Sequence, residues 1–250
     1  MKITTLGTSH GNATYCRFNS STHFELSDTS LLIDAGAPVD ALMIRKGLQI
    51  NALDAVLITH MDGDHSGGLP NLIKMLLKYP RESGTTRIYL PDQGVAGKLS
   101  GWLHAMRIRW PSDKIELVEI SEGIVHETDA VTVRAIGTRH IPMIGDRYRS
   151  FSFLIESEDK KVLHTGDLKS DFSDFPGIAS ETRISLCICE LTHYKPELAK
   201  PTLREARLDR LVFNHIHDPW HGEGEQKIKE ILADLPYPLA IAHDGDEFVV

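Results

Sequence analysis

The chain has 250 residues, of which 41% are hydrophobic and 25% charged, and its formal net charge is −8. This composition is typical of a globular protein with one sizeable core. The negative charge gives no sign of a surface built for the phosphate backbone of nucleic acid, DNA above all, although a local basic patch would still permit RNA.

The first residues and the cysteines narrow the class of protein further. The stretch MKITTLGTSHG lacks the apolar segment of a signal peptide, and no apolar run approaches the roughly 18 residues that span a bilayer. Cys16, Cys187 and Cys189 are an odd number without framework spacing, which argues against a disulfide scaffold. We therefore expect a cytoplasmic protein without a membrane partner, with Cys187 and Cys189 as small buried side chains on one strand face.

Short apolar runs, bounded by Gly, Pro, Asp or Asn, alternate with longer segments of helical periodicity. The apolar runs predict strands at 2–7, 30–36, 54–60, 87–91, 114–120, 131–137, 150–157, 161–167, 184–190, 210–215 and 238–243. The periodic segments predict helices at 38–47, 67–79, 93–108, 198–207 and 223–234. No repeat, linker or composition break divides the chain, so residues 1–250 are expected to form a single α/β domain.

Side chains that can bind metal fall at the ends of predicted strands. Such ends, and the loops after them, are where rigid scaffolds present functional groups. Imidazole nitrogen and carboxylate oxygen suit zinc, iron and manganese, and two such ions can activate one water molecule. The stretch THMDGDHSGG and three later strand ends supply seven candidates, which are His60, Asp62, Asp64, His65, His140, Asp167 and His215.

These motifs together resemble the metallo-β-lactamase fold superfamily. THMDGDHSGGL, then a downstream His, HTGD and a strand-ending His follow the order of that family's T-H-x-H-x-D-H motif and later ligands. The opening LGTSHGNATYC, SLLIDAG and the closing hairpin segment IAHDGDEFVV are similar to the branch of ribonuclease Z and small phosphodiesterases. The resemblance implies a four-layer αββα sandwich of two mixed β-sheets flanked by helices, with a metal centre at one edge.

The resemblance also implies a ligand set for two divalent ions, zinc or else manganese or iron. The first ion would be bound by His60, Asp62 and His140, the second by Asp64, His65 and His215, and Asp167 would bridge both. Most hydrolases of the family have His at the position of Asp62. A carboxylate there would favour manganese or iron over zinc, or else would leave the first site weak or empty.

The expected function is a binuclear metal-dependent hydrolase, a phosphodiesterase that cleaves a small or cyclic phosphodiester with a metal-bound hydroxide. Asp64 would orient the nucleophile, and His217 would donate a proton to the leaving group. The partner would be a small phosphoester, and the resemblance also permits a homodimer. Two alternatives stay open, a di-iron redox or oxygen-binding protein of the same fold and a metal-poor member without catalysis.

Several other residues have both a functional and a structural interpretation. His221 lies with His217 in NHIHDPWHG and would either line the pocket or lie on the surface. Glu190, in CELTHY, would either orient a histidine of the metal centre or serve as a structural acid. The remaining histidines are expected to be structural or solvent-exposed, although the loop of His10 could approach the site; they are His10, His23, His104, His126, His164, His193 and His243.

Overall fold

The computed structural model describes residues 1–92 and 94–250, and these form two seven-stranded β-sheets. None of the helices within these residues is long and apolar enough to cross a membrane. The strands in chain order are β1 (Lys2–Gly7), β2 (Ser21–Leu26), β3 (Thr29–Ile33), β4 (Ala55–Leu57), β5 (Thr86–Leu90), β6 (Ile115–Glu119), β7 (Gly123–Glu127), β8 (Val131–Gly137), β9 (Phe151–Ser157), β10 (Lys160–His164), β11 (Leu186–Leu191), β12 (Leu211–Ile216), β13 (Leu239–Ile241) and β14 (Asp246–Val249).

Both sheets are mixed, and each contains a run of parallel strands whose carboxyl ends lie at one edge of the sheet. The first sheet has the order β14-β1-β2-β3-β4-β5-β6, in which β3 to β6 run parallel. The second has the order β13-β12-β11-β10-β9-β8-β7, in which β10 to β13 run parallel. Because β8 and β10 are each antiparallel to β9, β8 also runs in the direction of β10. The carboxyl ends of β8, β10, β11 and β12 therefore lie at the same edge of their sheet.

Helices cover the outer face of each sheet. They are α1 (Val39–Lys46), α2 (Gly63–Ser66), α3 (Leu69–Lys78), α4 (Val95–Ala105), α5 (Ile178–Glu181), α6 (Pro196–Glu205) and α7 (Glu223–Ile231). In α3, Leu69, Leu72, Ile73 and Leu76 form one buried stripe against the first sheet. Each such side chain stabilises the folded state by roughly 1.5–3 kcal/mol when it is fully buried rather than exposed to water.

A third apolar layer lies between the two sheets. In β9, Phe151, Phe153 and Ile155 point into this inter-sheet core, whereas Leu154 packs with the helix-covered cluster on the other side. Cys187 and Cys189 of β11 both belong to that outer cluster and are free and buried, as expected for small apolar side chains. Helix, sheet, sheet and helix thus form four layers, which confirms the fold class predicted from the sequence.

The predicted elements match the structure with a few differences. All eleven predicted strands and five predicted helices are present, although the start of the helix predicted for 93–108 falls on Gln93, outside the described residues. β2, β7 and β14 were not among the predicted strands. STHFEL and GIVHE each carry polar residues among few apolar ones. The expected closing hairpin is wrong, because β14 pairs with β1 in the first sheet whereas β13 pairs with β12 in the second. β4 has only three residues, since the chain leaves the sheet after Leu57 to form the stretch that carries His60, Asp62, Asp64 and His65.

Candidate metal centre

The stretch after β4 forms a tight turn against the loop that follows β3. The chain is extended up to Asp62, whose carbonyl then accepts the amide N–H groups of His65 and Ser66 at 3.0 Å. A Cβ at Gly36 would collide with the carbonyl oxygen of Asp64, and one at Gly68 would lie 2.8 Å from that of Ala35. Glycine at these two positions lets the turn pack closely enough to direct its ligands toward the second sheet.

The structure brings six of the seven predicted ligands into compact groups. The possible ligand atoms of His60, His140 and Asp167 lie within 4.8 Å of one another, and so do those of Asp64, His65 and His215. Asp167 lies between the groups, with Oδ2 3.5 Å from His60 Nε2, 3.4 Å from His65 Nε2 and 3.3 Å from His215 Nε2. One buried carboxylate therefore faces imidazoles of both groups, as a bridging ligand would.

Asp62 lies at the rim of the first group. Its Oδ2 is 3.6 Å from His60 Nε2 and 3.8 Å from His140 Nε2, and its side chain is 56% exposed. The carboxylate is close enough to share an ion with both histidines, but water reaches it more easily than any other predicted ligand. The first group is thus the more open of the two.

Hydrogen bonds on Nδ1 orient the ligand histidines. His65 Nδ1 lies 2.7 Å from Asp34 Oδ2, and His215 Nδ1 donates to the carbonyl of Ser9 at 2.8 Å. These bonds place the hydrogen on Nδ1 and turn the lone pair of Nε2 toward Asp167. Both Asp34 and His215 adopt positive φ angles, 61° and 51°, a strained conformation that typically persists where the surroundings demand it.

Polar atoms at the centre lack partners among the described residues. Nε2 of His60, Nε2 of His65 and Oδ1 of Asp167 are buried without a hydrogen bond. An unsatisfied buried polar atom costs about 1–3 kcal/mol, so three at one place call for an explanation. Nitrogen and oxygen lone pairs that face one another are the donor set of a divalent metal ion, and the residues fit one.

The electrostatics of the centre favour ligand-ready protonation states for Asp64, Asp167 and His60, whereas Asp167 and Asp34 outweigh burial and raise the pKa of His65 well above its usual range. Burial raises the pKa of Asp64, but the hydrogen bond and charge of His65 outweigh it and hold that pKa at about 2. For Asp167, burial is likewise outweighed by His215 and His65, so its pKa lies well below the usual range. Burial and the neighbouring His65 hold the pKa of His60 well below the usual range. Two carboxylates are therefore ionised and His60 is neutral near pH 7, as metal coordination requires.

His193, which the sequence predicted to be structural or exposed, lies close to the predicted ligands. Its ring lies 4.4 Å from that of His140 and 5.9 Å from that of His215, and it forms a third possible ligand group with Asp167 and His215. A signal was present in CELTHY, since His193 follows the end of a parallel strand that neighbours the strand of Asp167. The strand-end rule that selected the other histidines would have selected this one too.

Glu190 holds His193 in place. Its Oε1 is 3.0 Å from His193 Nδ1, while its Oε2 accepts the backbone N–H groups of Thr192 and His193 at 2.7 and 3.1 Å. Burial lowers the pKa of His193, but the hydrogen bond and charge of Glu190 outweigh it and raise that pKa to about 9. Glu190 therefore orients a histidine of the centre, the functional interpretation considered for it from the sequence.

His217, the predicted proton donor, lies outside the three ligand groups. It is exposed, and its ring lies 5.4 Å from the buried ring of His10. His10 Nδ1 accepts the backbone N–H of Asn12 at 3.2 Å, and its Nε2 lies 2.9 Å from Asp218 Oδ1. His221 is tied back through Nε2 to the carbonyl of Ile216 at 2.8 Å. These histidines form a rim beside the loop after β12.

The other histidines have structural roles or lie at the surface. His126 is buried beside Tyr89 with its Nδ1 3.2 Å from the hydroxyl. His23 Nε2 lies 2.9 Å from Ser30 Oγ across a strand pair, and His164 Nδ1 accepts the N–H of Gly166 at 3.2 Å. His104 and His243 are exposed, as expected.

Comparison with known proteins places the chain among metal-dependent hydrolases. The sequence model of the anti-Pycsar protein Apyc1 family matches residues 1–206. Anti-Pycsar protein Apyc1 of Paenibacillus xerothermodurans is 24% identical over 204 residues, which cover 78% of this chain and 75% of that protein. A ribonuclease Z of Mycobacterium sp. (strain KMS) is 27% identical over 179 residues, 67% of this chain but only 61% of that protein.

Solved structures share the fold at low identity. The metallo-β-lactamase fold protein YhfI of Bacillus subtilis superposes with a TM-score of 0.79, at 17% identity, over 99% of both chains. The matches confirm the resemblance drawn from the sequence, the metallo-β-lactamase fold and, at the level of a metal-dependent hydrolase, the expected class of enzyme.

Proposed function

The chain belongs to the anti-Pycsar protein Apyc1 family, and on that premise we propose that it is a phosphodiesterase that uses two divalent ions to hydrolyse a small or cyclic phosphodiester. One observation carries the proposal. Nε2 of His60 and of His65, which follow β4 of the first sheet, and Oδ1 of Asp167, which follows β10 of the second, are buried together without hydrogen-bond partners among the described residues. The names of the relatives, which include ribonuclease Z, support phosphodiesters as the substrate class.

The residues divide between two ion positions with one shared carboxylate. His60 and His140, with Asp62 at the rim, would hold one ion, and Asp64, His65 and His215 the other, with Asp167 common to both. Two divalent ions bound there would supply Lewis acidity, which makes a water molecule nucleophilic near neutral pH and offsets charge on the phosphate oxygens. Besides serving as a ligand, Asp64 is placed to orient the attacking water, because its carboxylate is ionised and partly accessible.

His193 is the better placed proton donor for the leaving group. Nδ1 of His193 is fixed by Glu190 and lies 3.8 Å from Asp167 Oδ2, so the ring borders the reaction space. His217, in contrast, is exposed and contacts His10 at the rim. We assign general-acid catalysis to His193 and orientation of that ring to Glu190, and we leave His217 a role in contacting the substrate.

The first experiment measures metal content and hydrolysis together. Protein purified without added metal or chelator is expected to contain two divalent ions per chain by elemental analysis. It is expected to hydrolyse bis(4-nitrophenyl) phosphate and members of a panel of cyclic nucleotides. Asp167→Asn removes the shared charge and should lower kcat/KM by about a hundredfold or more, together with metal content.

A matched control separates this effect from a general loss of surface charge. Asp159→Asn changes a carboxylate that is 81% exposed, in the turn between β9 and β10, and should alter neither metal content nor rate. Two bound ions without hydrolysis of any phosphodiester would contradict the proposed reaction but leave the centre standing. Absence of bound metal, even after the protein is reloaded with divalent ions, would contradict both the proposed reaction and the proposed metal centre.

A further inference from the structure

Helix α4, on the outer face of the first sheet, has an exposed row of apolar and cationic side chains. Every fourth residue from Val95 to Leu103 is buried against the core of that sheet. Lys98, Trp102 and Met106 are also four residues apart, so they follow one another along a second side of the helix. Trp102 is 59% exposed and Met106 36% exposed. Two large apolar side chains therefore face water beside a cation.

The segment after α4 adds two guanidinium groups to this row. The N–H of Arg107 donates to the carbonyl of His104 at 2.9 Å, and His104 Nε2 donates to the carbonyl of Trp110 at 2.8 Å, so the segment is held against the last turn of the helix. Ile108 and Trp110 pack on the apolar cluster under α4, whereas Arg107 and Arg109 are exposed. This alternation places both guanidinium groups on the solvent side.

The cations of this row have no counter-ion within the described residues. Residues 94–112 contain no Asp or Glu. Arg81, beyond the end of α3, is paired with Asp54 at 2.7 Å, but no described carboxylate forms an ion pair with Lys98, Arg107 or Arg109. The whole chain has a net charge of −8, so this cationic surface is an exception on an acidic protein. Such a local field attracts an anionic partner.

The row ends far from the candidate metal centre. α4 connects the carboxyl end of β5 to the amino end of β6, and these two strands are parallel neighbours. The helix therefore begins at the sheet edge of the candidate ligands and ends at the opposite edge, where Met106, Arg107 and Arg109 lie. A partner bound there would leave the candidate metal centre open to solution.

The shape and composition of the row select one anionic partner. Single-stranded nucleic acid is typically held in a cationic groove with aromatic rings for successive bases, whereas Trp102 stands on the outermost layer of the fold. A symmetric contact with a second copy would bring equal cations together. Apolar side chains among unpaired cations on one side of a helix are typical of binding at the boundary between acyl chains and anionic headgroups.

We propose that the face formed by Lys98, Trp102, Met106, Arg107 and Arg109 binds the surface of an anionic membrane. The two apolar side chains would lie at the level of the headgroups, and the three cations would contact lipid phosphates and carboxylates. The sequence predicted no membrane partner because it contains no spanning segment, and none of the described helices is a spanning one. That reasoning does not apply to a helix that lies on the surface. The inference does not rest on the proposed function.

Vesicle binding tests the proposal directly. The metal-containing protein would be sedimented with vesicles of phosphatidylcholine that contain about 30% phosphatidylserine, and with vesicles of phosphatidylcholine alone. We expect saturable binding to the anionic vesicles only, weakened about tenfold or more when salt is raised from about 0.1 M to about 0.5 M. Absence of binding to the anionic vesicles at the lower salt concentration would overturn the proposal.

A pair of double variants tests where the membrane binds. Arg107→Gln combined with Arg109→Gln should weaken vesicle binding about twentyfold, since each cation near an anionic surface contributes about fivefold. Lys227→Gln combined with Lys229→Gln removes the same charge from exposed side chains of α7, on the second sheet, and should bind like the wild type. Equal losses in the two double variants would overturn the assignment to α4.

Fluorescence tests the contact of the apolar side chains with lipid. Brominated lipid in the anionic vesicles should quench the tryptophan fluorescence of the wild type, and Trp102→Phe should lose most of this quenching. Trp102→Ala should weaken binding about fivefold or more. Leu198→Ala, at a leucine 49% exposed on α6, is the matched control and should bind like the wild type. Undiminished quenching in Trp102→Phe would overturn the placement of this side chain.

Two other results would assign the face to a different partner and overturn the membrane proposal. One is binding of a short single-stranded RNA, without vesicle binding, that the double arginine variant weakens. The other is a dimer in sedimentation equilibrium, again without vesicle binding, that Trp102→Ala dissociates. Hydrolysis of bis(4-nitrophenyl) phosphate reports on the metal centre alone and should be unchanged in these variants, so the two proposals succeed or fail separately.

Discussion

Three histidines at the candidate centre depend on the partner of their Nδ1 atom. Asp34 fixes His65, the carbonyl of Ser9 fixes His215, and Glu190 fixes His193. A ligand set of this kind is specified by residues far apart in sequence, and changing an orienting partner typically costs 10–100-fold in metal affinity or activity. Single substitutions should therefore show separately which residues determine the identity of the bound metal and which supply a proton to the leaving group.

Asp62→His is expected to change which metal the protein holds. The carboxylate makes the open first site harder and more anionic than an imidazole would, so its replacement should shift bound metal from manganese or iron toward zinc. Elemental analysis of both proteins, purified in parallel from cells supplied with all three metals, measures the shift. Identical metal identity and stoichiometry would show that Asp62 does not select the ion.

His193→Gln is expected to slow hydrolysis in proportion to the basicity of the leaving group. An alkoxide needs a proton in the transition state, so kcat for an alkyl phosphodiester should fall about a hundredfold or more. A 4-nitrophenolate leaves without protonation, so the loss with bis(4-nitrophenyl) phosphate should be much smaller. Glu190→Gln should show the same pattern more weakly, and equal losses for both substrates would contradict the assignment of a general acid.

The candidate ligand positions could be selected from the sequence because each lies at, or just after, the end of an apolar strand. His60, His140, Asp167 and His215 share that feature, and the structure brings them together. His193 was missed although it lies only two residues beyond Leu191, the last residue of β11, and so obeys the same rule. No local pattern reveals that Asp34 or Ser9 would contact a histidine, since those contacts span 31 and 206 residues.

At the scale of elements, short turns rather than long helices position the chemistry. α2 has four residues and is held by its packing on the loop after β3, where Gly36 faces the carbonyl of Asp64. β4 has three residues. Such pieces have little intrinsic propensity to fold, so tertiary contact decides their shape. This explains why the sequence predicted α3 closely but predicted β4 too long and missed the strands β2, β7 and β14.

Gly36→Ala should damage the metal centre through this turn. The new methyl group would collide with the carbonyl of Asp64 and displace α2, so metal affinity should fall by about tenfold or more. Gly11→Ala is the matched control, because a Cβ there meets open space. Metal titration of both apo-proteins measures the difference, and equal affinities would show that the turn tolerates the shift.

The pairing of β2 with β3 should make stability depend on pH. Burial holds the pKa of His23, whose Nε2 lies 2.9 Å from Ser30 Oγ, at about 4, below the 6.5 of an exposed histidine. Between pH 6.5 and 4, His23 binds a proton in the unfolded chain but not in the folded chain. Its contribution to the free energy of unfolding is therefore complete above pH 6.5 and is lost as pH falls toward 4. The free energy of unfolding of the wild type relative to His23→Gln should drop by about 2 kcal/mol between pH 7 and 4.5. A difference that stays constant over this range would contradict the argument.

At the scale of the whole molecule, the two sheets pack through one apolar layer, and the candidate metal centre lies at one edge of that layer. Phe151, Phe153 and Ile155 pack between the sheets, and Asp167 gathers ligands from both. The overall layering was predictable because apolar strands and amphipathic helices determine it. The order of strands was not, since it depends on which edges pair.

Metal removal should lower the stability of the whole chain. Ions that bind only the folded protein stabilise it by mass action, and ligands from both sheets make them cross-links. Chelation should therefore lower Tm by about 5–10 °C, measured by differential scanning calorimetry at constant protein concentration. In the variant His65→Asn the same chelator should have a smaller effect, and an unchanged Tm in the wild type would mean that the centre does not bridge the sheets.

The two halves of the ligand set are also separated in time. His60 to His65 leave the ribosome early, whereas His215 follows His65 by 150 residues. At about 5–20 residues per second, the acids and imidazoles of the early turn wait roughly ten seconds or more for the strands that complete the site. During that interval the four candidate ligands of residues 60–65 can bind whichever cellular metal ion exchanges its bound water fastest. Which metal the finished protein contains is therefore expected to reflect the ions available during synthesis as well as the preference of its ligands.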